Sequence, residues 1–355
     1  MTTPAQSNEP VLAGQGEAAV LEADNDSSYA ESAASSDLTS LASSVTRGLY
    51  ENGRRYHSYG SSQYASPIHL ILDCKPILTP VPTFPNDEVE QDRLDMQHSM
   101  MTLLLGNKLF WAPLTNPQKV LDLGTGTGIW ALDFAELFPS AEVVGTDLSA
   151  IQPSWVPPNC RFEIDDAEAN WTWPPDTFDY IHNRNFVCSI RDWPRLIEQC
   201  YRHTKPGGYV EFHEKHPWIV SDDGTLAPNS ALVRFSEYFF SAGDKFGKPP
   251  SSPCYLKSWM EAAGFIDVEE HTLKLPIGPW PKELRMKQVG AFERVNMDEG
   301  IEALCLMLFT RALGWTREEV EVFLAQIRKE VKRKDVHSYY HFYVVYGRKP
   351  GKASV

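Results

Sequence analysis

The stretch VLDLGTGTGIW, residues 120–130, decides how the rest of the chain is read. An apolar run carrying one acid, Asp122, gives way to glycines at alternate positions, Gly124, Gly126 and Gly128, and then to a helical pattern. Strand, glycine turn and helix in that order put the turn at the carboxyl end of the first strand of a doubly wound sheet, over the topological switch point where ligands bind. A dinucleotide fingerprint, G-x-G-x-x-G, would need a small residue at position 129, and that position is Ile129. The spacing is D-x-G-x-G-x-G instead. An acid two residues ahead of the first glycine suits a guest that presents an ammonium there rather than a phosphate.

Outward from the turn, apolar strands alternate with helical runs: KVLDLG (119–124), helix GIWALDFAELF (128–138), EVVGTD (142–147), CRFEID (160–165), FDYIHNR (178–184), helix DWPRLIEQCYRH (192–203) and GYVEFHE (208–214). That alternation predicts a parallel sheet covered on both faces. The rhythm breaks after Glu214, where residues 229–247 read as an inserted aromatic helix. It resumes with helix YLKSWMEAAGF and strand IDVEEHTLKLP, is interrupted by helices over about 282–334, and closes with HSYYHFYVVYGRKP (337–350). Upstream, Leu94, Met101, Leu104, Leu105 and Leu109 predict a helix over residues 87–110. Residues 65–83, broken by Pro67, Pro76, Pro80 and Pro82, are expected as short extended pieces.

Two further acids fall where an adenosyl ligand needs them. Asp147 ends the second strand, in place to hold both ribose hydroxyls, an arrangement shared by nicotinamide and adenosylmethionine sites. Asp165 and Asp166 follow the third strand, where a carboxylate accepts from an adenine amino group; the two compete for one role, and Asp166 is preferred. A dinucleotide site does not call for that acid. At the ends of the fourth and fifth strands, His182, Asn183, Arg184, Asn185, His213 and Glu214 are candidates to orient an acceptor or take its proton, with His213 the candidate catalytic residue.

Composition narrows the partners. The chain has 355 residues and a formal charge of −14, half of it from seven acids in residues 1–46, a segment without Lys or Arg. An acidic body is a poor match for a nucleic-acid backbone. Residues 1–45, rich in Ser, Ala and acids, are expected as a disordered tail. Six scattered cysteines without a CxxC pair suggest neither zinc nor a disulfide framework. HEKH at 213–216 is not the HExxH signature, and no metal is expected. No run approaches the length of a membrane span. A soluble cytoplasmic or nuclear protein is therefore expected, the basic run RKEVKRK (328–334) being either a nuclear address or the solvated end of a helix.

The four motifs in register, from Val120 to Phe212, resemble the class I methyltransferases that use S-adenosyl-L-methionine. With the flanks ENGRRYHSY, PNDEVEQDRLDM, DLSAIQPSWVPPNC, DAEANWTW, LKLPIGPWP and YGRKP included, the chain resembles the fungal LaeA-like methyltransferases from Tyr50 to Pro350. One departure is that residues 65–83 separate the tyrosine segment from PNDE, as a surface insertion or a retained intron would. The resemblance implies an α/β Rossmann-like fold with a mostly parallel seven-stranded sheet in a single domain over 46–350, its core at 117–215 and helical lid insertions at about 216–250 and 282–334. It implies cofactor contacts at Asp122, Gly124, Gly126, Gly128, Asp147, Leu148, Asp165, Asp166, Ala167 and Asn183. Tyr56, in a segment with Tyr50, His57 and Tyr59, is expected either to fold over the cofactor or to staple onto the sheet. The implied activity is methylation of an O or N acceptor on a small secondary metabolite, with RFSEYFF (234–240) lining its pocket. The alternative is a nuclear regulator of secondary metabolism that works through velvet-type protein partners.

Overall fold

The computed structural model describes residues 49–51, 54–56 and 85–351; the expected tail at 1–45, the proline-rich segment 65–83, His57 and Tyr59 lie outside the described residues. The chain enters through a two-stranded antiparallel hairpin, β1 (Leu49–Glu51) and β2 (Arg54–Tyr56). Asn86 donates its backbone N–H to the carbonyl of Arg55, whose guanidinium returns bonds to the carbonyl and Oδ1 of Asn86. These contacts deliver the chain to α1 (Glu88–Leu104), which is capped by Asp87 accepting from the Glu90 amide.

Seven strands form the central sheet in the order β5-β4-β3-β6-β7-β9-β8. Its parallel part is β3 (Lys119–Leu123), β4 (Glu142–Asp147), β5 (Cys160–Ile164) and β6 (Phe178–Arg184), joined by β7 (Thr204–Val220). The last two strands, β8 (Ile266–Pro276) and β9 (Tyr339–Arg348), add antiparallel, with β9 inserted between β7 and β8. The strand order reverses between β3 and β6, so the crevice above their carboxyl ends is the switch point.

Helices cover both faces. On one, α3 (Trp193–His203) and α5 (Leu256–Ala263) pack on Leu121, Leu123, Ile181 and Phe212. On the other, α2 (Ile129–Leu137) buries Trp130 and Phe134 against Val120, Val143 and Tyr180. Beyond it, α1 shares a second core with the inserted helices α4 (Ala231–Lys245), α6 (Leu284–Leu308) and α7 (Arg317–Val331). A buried ladder fastens α1 to α6: Arg93 donates to both carboxylate oxygens of Glu90 and to Asn296 Oδ1, Asn296 donates to Glu293, and Lys215 of β7 donates to Glu293 as well.

Three expectations are corrected. The helix expected to reach residue 110 ends at Leu104, because Gly106 and Asn107 both adopt left-handed backbone, at φ 74° and 62°; Leu109 turns to the α2 core instead. The strand expected to end at Glu214 runs on to Val220, so the first insertion begins later than residue 216. Pro217 hides the continuation, since it has no N–H for the ladder, and a register shift between His216 and Ile219 absorbs it. Finally, RFSEYFF is mostly core: Phe235 and Phe239 are buried among α4, α6 and α7, and Phe240 packs on His216 and Trp218. The basic run at 328–334 is engaged in ion pairs, Arg328 and Lys332 with Asp298 and Arg333 with Asp335.

Candidate functional site

The three glycines of the opening motif stand at the end of β3 with φ of 64°, 58° and 86°. Side chains press on this turn from both sides. A Cβ on Gly124 would lie 1.8 Å from the Phe186 ring, and one on Gly128 would lie 2.4 Å from the Phe162 ring, so glycine is required by contact as well as by backbone. Gly126 is the open one: among the described residues, a Cβ there would meet Leu94 of α1 at 3.7 Å and nothing closer. Its amide donates to Asp147 Oδ2 at 2.9 Å, and its carbonyl accepts from Gln152 Nε2 at 2.7 Å.

Asp147 therefore sits where the sequence put it, at the tip of β4 beside the turn, with Oδ1 accepting the Ser149 amide. Burial pushes its carboxyl up to about 6, against the pull of the Ser149 and Gly126 amides, and the nearby Asp122 adds to the rise. Leu148 follows it, half-buried. Asn86 Nδ2 donates to Ser149 Oγ, so the hairpin that carries the buried Tyr56 is anchored at this end of the turn.

One strand further out, Asp165 accepts the Asp166 amide and Asp166 accepts the Glu168 amide, so the pair shapes a tight half-buried turn after β5. Ala167 lies in that turn and uses its carbonyl to accept from Trp171 Nε1. Across the switch point, Asn183 is wholly buried on β6; its Nδ2 donates to the Leu123 carbonyl, and its Oδ1 has no partner among the described residues. This leaves an unsatisfied buried acceptor beside the end of β3.

The helix α1 roofs the turn. Thr127 donates to Asp95 at 2.6 Å, Asn185 donates to Gln97, and His98 bridges Asp133 of α2 to Arg184 of β6. Sequence reasoning missed these contacts. Their signal is visible afterwards in DMQH (95–98), which puts polar groups one turn apart on a face that otherwise buries apolar residues.

Two assignments are corrected. Asp122 was expected to meet an ammonium, but it is buried, with Oδ1 held by His182 Nδ1 at 2.7 Å and Oδ2 by Thr125 Oγ1 at 2.6 Å. It braces the turn from beneath. Burial pushes its carboxyl up to about 7 and drives the His182 imidazole well below its ordinary range. His213, expected as the catalytic residue, is 0% exposed inside the sheet; its Nε2 donates to Glu211 at 2.6 Å and its ring meets His182 edge-on. A general base must reach the proton it removes, and this ring is enclosed.

Glu211 anchors that interior, accepting from the Trp111 and Ala112 amides and from Tyr180 Oη as well. Burial by itself raises its carboxyl, but the His213 bond and the two amides outweigh that and hold it below the usual range. Glu214, on the opposite face of β7, accepts from the Phe186 and Val187 amides.

The parts suit one guest. The crevice has a buried amide oxygen on its β6 side and carboxylates at Asp147, Asp165 and Asp166 toward its β5 side, while the turn amides of Thr125, Gly126 and Gly128 are already bonded to the Thr146 carbonyl, Asp147 and the Thr125 carbonyl. This fold and this site define a class I methyltransferase whose cofactor is S-adenosyl-L-methionine, a source of an electrophilic methyl group on a sulfonium.

Comparison with known proteins places it more narrowly. A methyltransferase-domain profile matches residues 95–270. The chain is 44% identical over 317 residues to methyltransferase pytC of Aspergillus terreus, covering 89% of this chain and 92% of that one. It is 33% identical to the secondary metabolism regulator laeA of Monascus pilosus, over 85% of this chain and 78% of that one. Among solved structures it is similar to phosphoethanolamine N-methyltransferase 2 of Haemonchus contortus in complex with S-adenosyl-L-methionine. That match has a TM-score of 0.41 and 20% identity, over 73% of this chain and 52% of the other. The chain belongs to the fungal LaeA-like methyltransferase family.

Proposed function

We propose that this methyltransferase acts on an oxygen or nitrogen of a small secondary metabolite, as a tailoring enzyme of a fungal biosynthetic pathway in the cytoplasm. The observation that carries this reading is the position of Asp147, Asn183 and the glycine turn at one crevice, roofed by α1 and flanked by the strand β7 that extends beyond its parallel neighbours. Greater identity to the methyltransferase pytC than to the regulator laeA supports an enzymatic role over a regulatory one.

In this reading Asp147 grips the ribose, Asp165 or Asp166 meets the adenine amino group, and Asn183 Oδ1 takes the ammonium. Leu148, Ala167 and Tyr56 supply the walls of the adenosine end. Methyl transfer is an in-line displacement, so the chain's work is to hold the acceptor collinear with the methyl group and exclude water. Past Glu214, His216 is buried with neither ring nitrogen bonded among the described residues and with the rings of Phe240 and Tyr343 beside it. Burial pushes this imidazole down to about 4, so it is neutral near pH 7, and like His213 it is enclosed rather than presented to an acceptor. An open groove of about 400 Å³ between α4 and α7 contains none of these residues and plays no part in this reading.

Incubation of the protein with methyl-labelled S-adenosyl-L-methionine and an extract of the host lacking its gene is the test. Label transferred to one small-molecule family, the unmethylated form of which accumulates in the deletion strain, supports the proposal. Label transferred only to protein, with recovery of velvet-type partners and loss of many metabolites together, supports the regulatory alternative instead.

A further inference from the structure

The loop after β6 is built with unusual care. Its first residue, Asn185, adopts left-handed backbone at φ 60°, and so does Cys188 at φ 61°. Neither is glycine, so both positions are strained, and such strain persists only where surrounding contacts hold it. Those contacts are present. The Asn185 amide donates to the His213 carbonyl, its side chain donates to Gln97 of α1, and the Ser189 amide closes a turn on the Phe186 carbonyl. Between the two strained residues, the Phe186 and Val187 amides each donate to one oxygen of Glu214, at 2.7 and 2.9 Å.

The consequence is the placement of one ring. Phe186 is half-buried and lies so close over Gly124 that no side chain fits between them. Gly124 meets Phe186 of the loop after β6, whereas the ribose carboxylate Asp147 ends β4 and the pair Asp165 and Asp166 follows β5, on the other side of β3 in the sheet. A ligand that spans the turn with its adenosine on the β4 side brings its other end under Phe186.

We propose that Phe186 is the aromatic wall that selects the positively charged sulfonium form of the cofactor, and that Glu214 is the positioning residue that sets the ring there. This rests on the reading of the crevice as an adenosylmethionine site. An aromatic face attracts a cation more strongly than a neutral thioether of nearly the same shape, which keeps only the weaker sulfur–ring contact. The wall therefore discriminates substrate cofactor from spent product, S-adenosylhomocysteine, and favours release of the product after methyl transfer.

Calorimetric titration of the wild-type chain, Phe186→Leu, Phe186→Tyr and Glu214→Gln with S-adenosyl-L-methionine and with S-adenosylhomocysteine tests this without an acceptor. Leucine keeps the apolar contact and removes the ring. Phe186→Leu is expected to weaken S-adenosyl-L-methionine binding by roughly threefold to thirtyfold while changing S-adenosylhomocysteine by less than about twofold, and Phe186→Tyr to retain the wild-type preference. Glu214→Gln, which turns one acceptor oxygen into a donor facing an amide, is expected to shift the preference in the direction of Phe186→Leu. Equal losses for both ligands, or no loss, overturn the role of Phe186; an unchanged preference in Glu214→Gln overturns that of Glu214. A wild-type chain that binds neither ligand overturns the adenosylmethionine reading itself and this inference with it.

Discussion

At the scale of single residues, the site separates groups that meet the ligand from groups that hold them. In the proposed reading Asp147 belongs to the first set, and its titration is measurable. A carboxylate accepts two hydroxyls only when ionised, and burial has raised this one to about 6. Binding therefore favours the ionised form, and below about pH 6 a proton must leave before the ligand is gripped. Affinity for S-adenosyl-L-methionine is expected to be level above pH 7 and to fall by up to about tenfold per pH unit below pH 6. Calorimetry from pH 5 to 8 checks this, and a profile level throughout that range would count against the ribose assignment. The glycines provide a second contrast. Alanine at either Gly124 or Gly126 carries the left-handed penalty of about 1–2 kcal/mol, but only at Gly124 does it also displace an aromatic ring. Gly124→Ala is expected to lower the denaturation midpoint distinctly more than Gly126→Ala; equal shifts would mean that the Phe186 ring does not rest on the turn.

At the scale of elements, β7 has the largest part. Its Glu211 ties the loop ahead of β3, through Trp111 and Ala112, to Tyr180 of β6 and to His213 on its own strand. Removal of that carboxylate abandons four buried donors at once, and Glu211→Ala is expected to cost about 3–5 kcal/mol in urea unfolding. A loss below about 1 kcal/mol would show that water replaces those bonds at little expense. The roof makes a subtler prediction. Thr127→Val removes the donor to Asp95 that joins the turn to α1, and it is expected to weaken cofactor binding by a few fold with little change in the unfolding midpoint, since one half-buried hydrogen bond contributes about 1 kcal/mol. Loss of stability without loss of binding would assign that contact to the scaffold alone.

At the scale of the whole molecule, periodicity and spacing carried the core because each parallel strand is a short apolar run ended by a turn signal. The order of β3 to β6, the glycine turn and Asp147 were legible for that reason. What escaped detection depended on distant contacts. Nothing local marks His213 as enclosed, since its enclosure comes from Glu211, His182 and Phe342, and His182 and Phe342 belong to other strands. Asp122 was misread in the same way, because its partner His182 is sixty residues further along the chain. Phe235 and Phe239 looked like pocket residues until α6 and α7 were folded over them. The inserted helices are therefore read from packing of this kind rather than from motif.

The central claim is that the crevice at β3 and β4 holds S-adenosyl-L-methionine with Asp147 on its ribose. Titration calorimetry of the full chain and of Asp147→Ala, with S-adenosyl-L-methionine and with NAD as the competing adenosyl ligand, tests it most directly. The expected result is binding of S-adenosyl-L-methionine and not of NAD, weakened in Asp147→Ala by about 1–3 kcal/mol through the loss of paired hydrogen bonds. Binding of NAD alone, or an Asp147→Ala variant that binds S-adenosyl-L-methionine as tightly as the wild type, would contradict it.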